Sequence, residues 1–367
     1  MIMDSIILVS LVSFFITFIA IPVVIRVADA KKLFDLPGER KVHFTPIPSL
    51  GGIGIFASVI FAVTTLVSFS TTPALQFFVA ASIIIFFLGM KDDILLISPM
   101  KKFTGQFLAT FLLAYQKDFQ LTSFYGFLGI YDLHPAISIL FTYMTILVII
   151  NAFNLIDGVD GLAGTLGLFS TLFFGVVFAI EKDYSYAILS FSMAASLLAF
   201  LLYNYSPARI FMGDTGSLML GLVNAVLVIR FINTESLASS VLDFKSAAAI
   251  GFAALFLPLM DTLRVIVIRI YFGRSPFDPD VNHIHHILLR RGLSHLQITG
   301  LLTLASAFFL GFALAFDSLG INFIILSLFG IGTATAAYLK WFAPGAEKFS
   351  LQSRYKSRSS KEAAEKY

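Results

Sequence analysis

The stretch Pro135-Ala-Ile-Ser-Ile-Leu-Phe-Thr-Tyr-Met-Thr-Ile-Leu-Val-Ile-Ile150-Asn151-Ala-Phe-Asn154-Leu-Ile-Asp157-Gly-Val-Asp160 decides the fold. It opens with an apolar run to Ile150 and, with the further apolar residues up to Ile156, is long enough to cross a bilayer, which takes about 20 mostly apolar residues of helix. It then turns polar at every third position, through Asn151, Asn154, Asp157 and Asp160. A charge at the bilayer centre costs roughly 3 kcal/mol or more, so ionisable groups beside a span are candidates for function. On a straight helix each step of three residues drifts about 60°, which would point Asn151 and Asp160 in opposite directions. They converge only if the helix breaks, and Gly158 stands where a break would help. Gly158, Gly161, Gly164 and Gly167 continue the spacing and let a backbone or a ligand approach closely. A helix contact lined by glycine accounts for these glycines but not for the two aspartates.

The rest of the chain has the same character. It is 58% hydrophobic and only 13% charged, where a soluble domain carries about 25% charge. Apolar runs start near Ser5, Leu50, Ala74, Phe103, Pro135, Gly158, Tyr186, Gly216, Ser246, Gln297 and Gly320. The expected fold is therefore an all-α polytopic membrane protein, a bundle of about 10–11 transmembrane helices. Residues 1–349 form one membrane domain, and residues 350–367 form a basic tail. The first run follows Met1-Ile-Met-Asp4 without a basic start or a small-residue cleavage site, and reads as a retained span. No cysteine is present, which excludes disulfides and thiolate metal sites. With the N-terminus outside, all but Lys117, Lys182, Arg230 and Lys245 of the 25 Lys and Arg fall in inner segments. The positive-inside rule thus places the N-terminus outside and the C-terminus in the cytoplasm. The outer segment 116–134 is aromatic and glycine-rich, as in a small hairpin or an interfacial piece.

That sidedness puts every polar motif on one membrane face. Asp92 and Asp93 end the third run, where the helix macrodipole disfavours negative charge and a cation such as Lys91, Lys102 or a metal should compensate. Phe211-Met-Gly-Asp214-Thr-Gly-Ser217 joins two runs. Asp214 and Thr215 there can cap the next helix, and a lone carboxylate flanked by glycines equally suits a hard divalent cation. His283-Ile-His285-His286 lies among Arg264, Arg269, Arg274, Arg290 and Arg291. Without cysteine or an adjacent carboxylate, that composition suits phosphate oxygens better than zinc. The first inner loop holds Arg40, Lys41 and His43, and closes on Gly51-Gly52, a pair that suggests close backbone approach. Together the motifs describe a metal-assisted site for a phosphorylated substrate, with apolar helices that admit a lipid.

These motifs resemble the polyprenyl-phosphate N-acetylhexosamine-1-phosphate transferases, which include the MraY and WecA/TagO branches. The matching pieces are Arg40-Lys41-Val-His43 with Gly51-Gly52, Asp92-Asp93 with Lys102-Phe-Thr-Gly-Gln106, Asn154-Leu-Ile-Asp157-Gly-Val-Asp160-Gly-Leu, the Phe211–Ser217 motif and the histidine loop. The resemblance implies transfer of a sugar 1-phosphate from a UDP-sugar to undecaprenyl phosphate with release of UMP. It implies Asp92, Asp93 and Asp214 as catalytic carboxylates, with Asp214 the principal ligand of Mg²⁺ (or Mn²⁺) and Asp157 a second. Lys41, His43, Lys102, Asn154, Asp157, Asp160, Phe211, His283, His285 and His286 would bind substrate. Ile284 interrupts the histidine run, which is closer to the WecA/TagO branch. UDP-N-acetylglucosamine is then the expected donor, in the first membrane step of a cell-envelope polysaccharide such as O-antigen. The resemblance implies the cell inner membrane as location and admits a homodimer; no nucleic acid partner is expected. The alternatives are an MraY-type phospho-N-acetylmuramoyl-pentapeptide transferase and, from another class, a transporter with intramembrane carboxylates.

Overall fold

The computed structural model describes residues 2–33, 47–95, 97–235, 241–273, 275 and 282–341. Lys41 and His43 of the first inner loop, and the tail 350–367, lie outside the described residues. The helices in chain order are α1 (Ile2–Lys31), α2 (Gly52–Leu66), α3 (Ala74–Leu95), α4 (Pro99–Ala114), α5 (Pro135–Ile156), α6 (Leu162–Ile180) and α7 (Tyr184–Asn204). They continue with α8 (Gly213–Glu235), α9 (Ala247–Ala254), α10 (Phe256–Tyr271), α11 (Ile284–Arg290), α12 (His295–Ala315) and α13 (Ile321–Trp341). Among the described residues no strand is longer than an isolated bridge. An all-helical fold follows from the composition, because a segment in lipid must satisfy its backbone groups internally.

Each apolar run carries a helix. Eight of the helices are long and apolar enough to cross a membrane: α1, α3, α5, α6, α7, α8, α12 and α13. The run near Ser246 is two helices, α9 and α10, which meet at 78°. Leu255 leaves helical geometry between them, at φ −111° and ψ 10°. Pro258 follows in the first turn of α10, where its missing N–H costs nothing. α2 and α4 are shorter, at 15 and 16 residues.

α8 is the hub. Of its apolar window 94% is buried, against 22% for the peripheral α1 and α13. It packs against α2, α3, α5, α6, α7 and α9, and its start carries the Phe211–Ser217 motif. The segment 116–134 forms a hairpin, with Phe124 N–H on the Tyr131 carbonyl (3.0 Å) and Leu133 N–H on the Thr122 carbonyl (2.8 Å). An apolar cavity of about 500 Å³ lies under this hairpin, between α5, α9, α10 and α13.

Candidate active site

Residues 48–52 and the Phe211–Ser217 motif are held together by their backbones. Phe211 N–H donates to the Pro48 carbonyl (2.8 Å), Gly51 N–H to the Phe211 carbonyl (2.9 Å) and Gly52 N–H to the Met212 carbonyl (2.9 Å). Gly52 permits the close approach its sequence suggests, since a β-carbon there would lie 2.1 Å from Gly216 N. α8 begins at Gly213, so Asp214 stands inside its first turn. The N-terminal cap comes from α3. Asp93 Oδ1 accepts from Asp214 N–H (2.6 Å), and Asp93 Oδ2 accepts from Thr215 N–H (3.0 Å) and the Thr215 hydroxyl (2.6 Å). Asp214 and Thr215 are thus not the cap but the groups being capped, and the Asp214 side chain is released for other partners.

Those partners form the charged centre. Asp214 Oδ2 pairs with Lys102 Nζ, and Oδ1 accepts from Asn154 Nδ2 (2.7 Å). Lys102 Nζ also donates to Asn154 Oδ1 (3.2 Å) and pairs with Asp92 Oδ2 (3.2 Å). Asn154 Nδ2 lies 2.9 Å from Ser217 Oγ as well. Four helices, α3, α4, α5 and α8, therefore meet at one ammonium group. The cation expected to compensate Asp92 at its helix end is Lys102. Behind this centre Asn151 pairs with Gln106, its Nδ2 donating to Gln106 Oε1 (2.9 Å).

α5 ends at Ile156, and Asp157 is its C-cap, so the helix breaks where the three-residue spacing requires. Asp157 is half-buried beside Asp214, Asp93 and Asp160. Burial first, and then those three carboxylates, push its pKa up to about 8. Asp160 turns elsewhere. It is buried, with Oδ2 3.2 Å from His295 Nδ1 and 3.4 Å from Ala208 N, under the start of α12. The structure brings Asp92, Asp93, Lys102, Asn154 and Asp214 into direct contact and does not bring Asp160 into that cluster. Phe211 contributes its backbone to the pairing with residues 48–51.

The histidine loop closes the site from the other side. A β-carbon on Gly158 would lie 2.2 Å from His285 Nε2, so only glycine lets that ring rest on the Asp157 loop. The His283 and His285 rings stack at 5.6 Å, and those of His285 and His286 meet at 4.3 Å. Burial, and then His286 beside it, push the His285 pKa down to about 3, so its ring is neutral. Among the described residues no three His, Asp or Glu side chains are arranged to hold a metal by themselves. Sequence reading missed Asp261, which grips His283, and His295, which pairs with Asp160. Asp261 carried a usable signal as a carboxylate inside the apolar run of α10. It also missed Asn204, whose Oδ1 accepts from Gly161 N–H (2.9 Å) and whose Nδ2 donates to the Ile210 carbonyl (2.8 Å), tying two site loops together.

Comparison with known proteins places the chain among related sequences. Glycosyl transferase family 4 matches residues 75–232, which span α3 to α8. The chain is 32% identical over 318 residues to a decaprenyl-phosphate N-acetylglucosaminephosphotransferase of Mycobacterium leprae, covering 81% of this chain and 80% of that protein. It is 34% identical over 339 residues to a probable undecaprenyl-phosphate N-acetylglucosaminyl 1-phosphate transferase of Bacillus subtilis, covering 88% and 90%. An undecaprenyl-phosphate alpha-N-acetylglucosaminyl 1-phosphate transferase of Escherichia coli K12 is 29% identical over 289 residues, covering 77% and 76%. The identity and extent of these matches show that the chain belongs to the polyprenyl-phosphate N-acetylhexosamine-1-phosphate transferase family.

Proposed function

We propose that the protein transfers N-acetylglucosamine 1-phosphate from UDP-N-acetylglucosamine to undecaprenyl or a similar polyprenyl phosphate, releasing UMP. The observation that carries this is the junction of Lys102 with Asp92, Asn154 and Asp214, opposite a histidine loop laid on the Asp157 turn. The Lys102 ammonium and, beside the Asp157 turn, the His285 ring border a group of carboxylates, an arrangement suited to a diphosphate that arrives with its own cation. The relatives named above act on N-acetylglucosamine, and the interrupted histidine run supports the same donor. The excess of basic residues in the inner segments supports a cytoplasmic site in the cell membrane, at the first membrane step of an envelope polysaccharide.

The residues fit a Mg²⁺ ion. Burial, and then the nearby Asp214, Asp93 and Asp160 carboxylates, raise the Asp157 pKa to about 8, and a dication would offset both by balancing the negative charge there. Mg²⁺ needs only one or two carboxylates when substrate phosphates and water complete its shell, and Asp214 and Asp157 would supply them. When bound, such an ion neutralises charge on the transferring phosphate.

The chain's own residues bind and orient. Lys102 and the histidines hold phosphate oxygens by charge-assisted and neutral hydrogen bonds. Asn154 fixes Asp214, and Asp93 fixes the helix turn that carries Asp214. An oxygen of the lipid phosphate attacks the β-phosphorus of the UDP-sugar. A new P–O bond forms there as the bond to the bridging oxygen breaks, and UMP leaves with that electron pair. A phosphate monoester has its second pKa near 6, so the acceptor needs no general base. Both Asp93 oxygens are committed to α8, which favours attack in one step over a phosphorylated Asp93. The apolar cavity beside α10 suits a polyprenyl chain.

The test incubates purified protein with polyprenyl phosphate, Mg²⁺ and each UDP-sugar in turn. Release of UMP with UDP-N-acetylglucosamine is expected. Turnover of UDP-MurNAc-pentapeptide but not of UDP-N-acetylglucosamine overturns the donor, and a C-terminal reporter active only outside the cell overturns the sidedness.

A further inference from the structure

Asp261 belongs to none of the groups used above, yet it is among the most constrained carboxylates in the molecule. It lies on α10 shortly after the 78° break, with its side chain 3% exposed. Its Oδ2 faces His283 Nδ1 at 2.8 Å. Its Oδ1 accepts from Ile284 N–H (2.9 Å) and from Arg264 Nη2 (2.9 Å). Arg264 in turn donates to the Asn282 carbonyl. One turn of α10 thereby fastens three consecutive residues, Asn282, His283 and Ile284, at the point where α11 begins. The opposite side of α10 carries Leu259 and Leu263, which line the apolar cavity.

A buried ion pair is seldom the most stable filling of its space, since packed apolar residues often do as well or better. Its value here lies in placement. A carboxylate on Nδ1 makes that nitrogen the donor and leaves Nε2 of His283 as an acceptor, so Asp261 sets both the tautomer and the ring orientation. From His283 the order passes by ring contact to His285 and His286, and from His285 to the backbone of Gly158 beside Asp157.

We propose that Asp261 is a positioning residue for the donor: through His283 and the first turn of α11 it sets the His285 and His286 rings against the Asp157 turn, where the UDP-sugar diphosphate binds. The proposal rests on the histidine loop being a phosphate-binding element. Kinetics of the full chain in detergent test both. Asp261→Asn should raise the KM for UDP-N-acetylglucosamine about tenfold or more, leave the KM for polyprenyl phosphate within about twofold, and lower the melting temperature, because the buried Arg264 loses its carboxylate. Adding His283→Asn should cost no more than the worse single change, because both act through one contact. Asp261→Glu, which keeps the charge but moves it by a methylene, should recover part of the donor KM.

Each other result decides against it. A wild-type donor KM and kcat in Asp261→Asn, an equal rise in both KM values, or fully multiplicative effects of Asp261→Asn and His283→Asn overturn the positioning role. Loss of folded protein in both Asp261→Asn and Asp261→Glu leaves only a structural role and overturns it too. His285→Ala and His286→Ala separate the two layers. If neither changes donor KM or kcat, the phosphate-binding loop falls and the role of Asp261 falls with it. If they do and Asp261→Asn does not, only the role of Asp261 falls.

Discussion

Asp93→Asn separates a residue that holds the site from one that reacts in it. The Asp93 carboxylate accepts three hydrogen bonds from the start of α8, at 2.6, 3.0 and 2.6 Å. An amide has one acceptor oxygen. If that oxygen faces Thr215, the NH₂ group meets Asp214 N–H; if it faces Asp214, the NH₂ meets Thr215 N–H. In either orientation one backbone N–H of α8 loses its acceptor. The lost charge-assisted bond and the orphaned donor each cost roughly 1–3 kcal/mol, so the change should destabilise by about 3 kcal/mol. The same strain displaces Asp214 relative to Lys102, and a misplacement of about 1 Å costs on the order of a hundredfold in rate. The expected variant is less heat-resistant, measured by size exclusion after heating in detergent, and retains about 1% of UMP release. An unchanged melting temperature refutes the capping role. Complete inactivity together with capture of a phosphorylated enzyme from β-³²P-labelled donor refutes one-step attack and restores a two-step route through Asp93.

Three further outcomes follow from the same geometry. Gly158→Ala places a β-carbon 2.2 Å from His285 Nε2, so the ring must retreat by about 1 Å and transfer should fall on the order of a hundredfold; kinetics of the Gly158→Ala/His285→Ala pair should match His285→Ala alone, and additive losses would show that the clash lies elsewhere. Asp214→Asn leaves the cap of α8 intact, because Asp93 supplies it, yet it breaks the pair with Lys102 and removes metal-binding charge. Activity should fall about a hundredfold or more with raised Mg²⁺ demand, and near-full activity at ordinary Mg²⁺ would move the metal to Asp157 or Asp92. His285 is held neutral, with a pKa of about 3 against an ordinary 6.5. The unfolded chain therefore binds the extra proton between those values, and the His285 contribution to stability is constant above about pH 6.5 and falls by at most about 1.4 kcal/mol per unit below it, against an opposite slope from Asp157, whose raised pKa favours the folded state as pH falls from about 8. The difference in melting temperature between wild type and His285→Gln, followed from pH 7 to pH 5, isolates this term: the wild type should lose stability relative to the variant as pH falls, and a constant difference would refute it.

Much of the protein is legible in its sequence because the deciding terms are local. Runs such as Pro135–Ile150 must be helical and buried in lipid whatever surrounds them, since both hydrophobic transfer and backbone satisfaction are set within the run. The break after Ile156 follows from the angular drift of Asn151, Asn154, Asp157 and Asp160. The polar motifs mark the site because charge beside a span is costly without a purpose. Sequence spacing could not say which polar group meets which. Asp93 looks like a reactive carboxylate, yet α3 delivers it to the start of α8, 121 positions away in the chain. Asp160 shares a motif with Asp157 but turns to His295, and the bend at Leu255 makes two helices of one run and carries Asp261 to His283. Such pairings depend on how helices cross, and crossing is settled by long-range packing around α8. Chain order thus determined the helices and the chemistry available to them, whereas tertiary contact decided which carboxylate caps α8, which grips His283 and which pairs with Lys102.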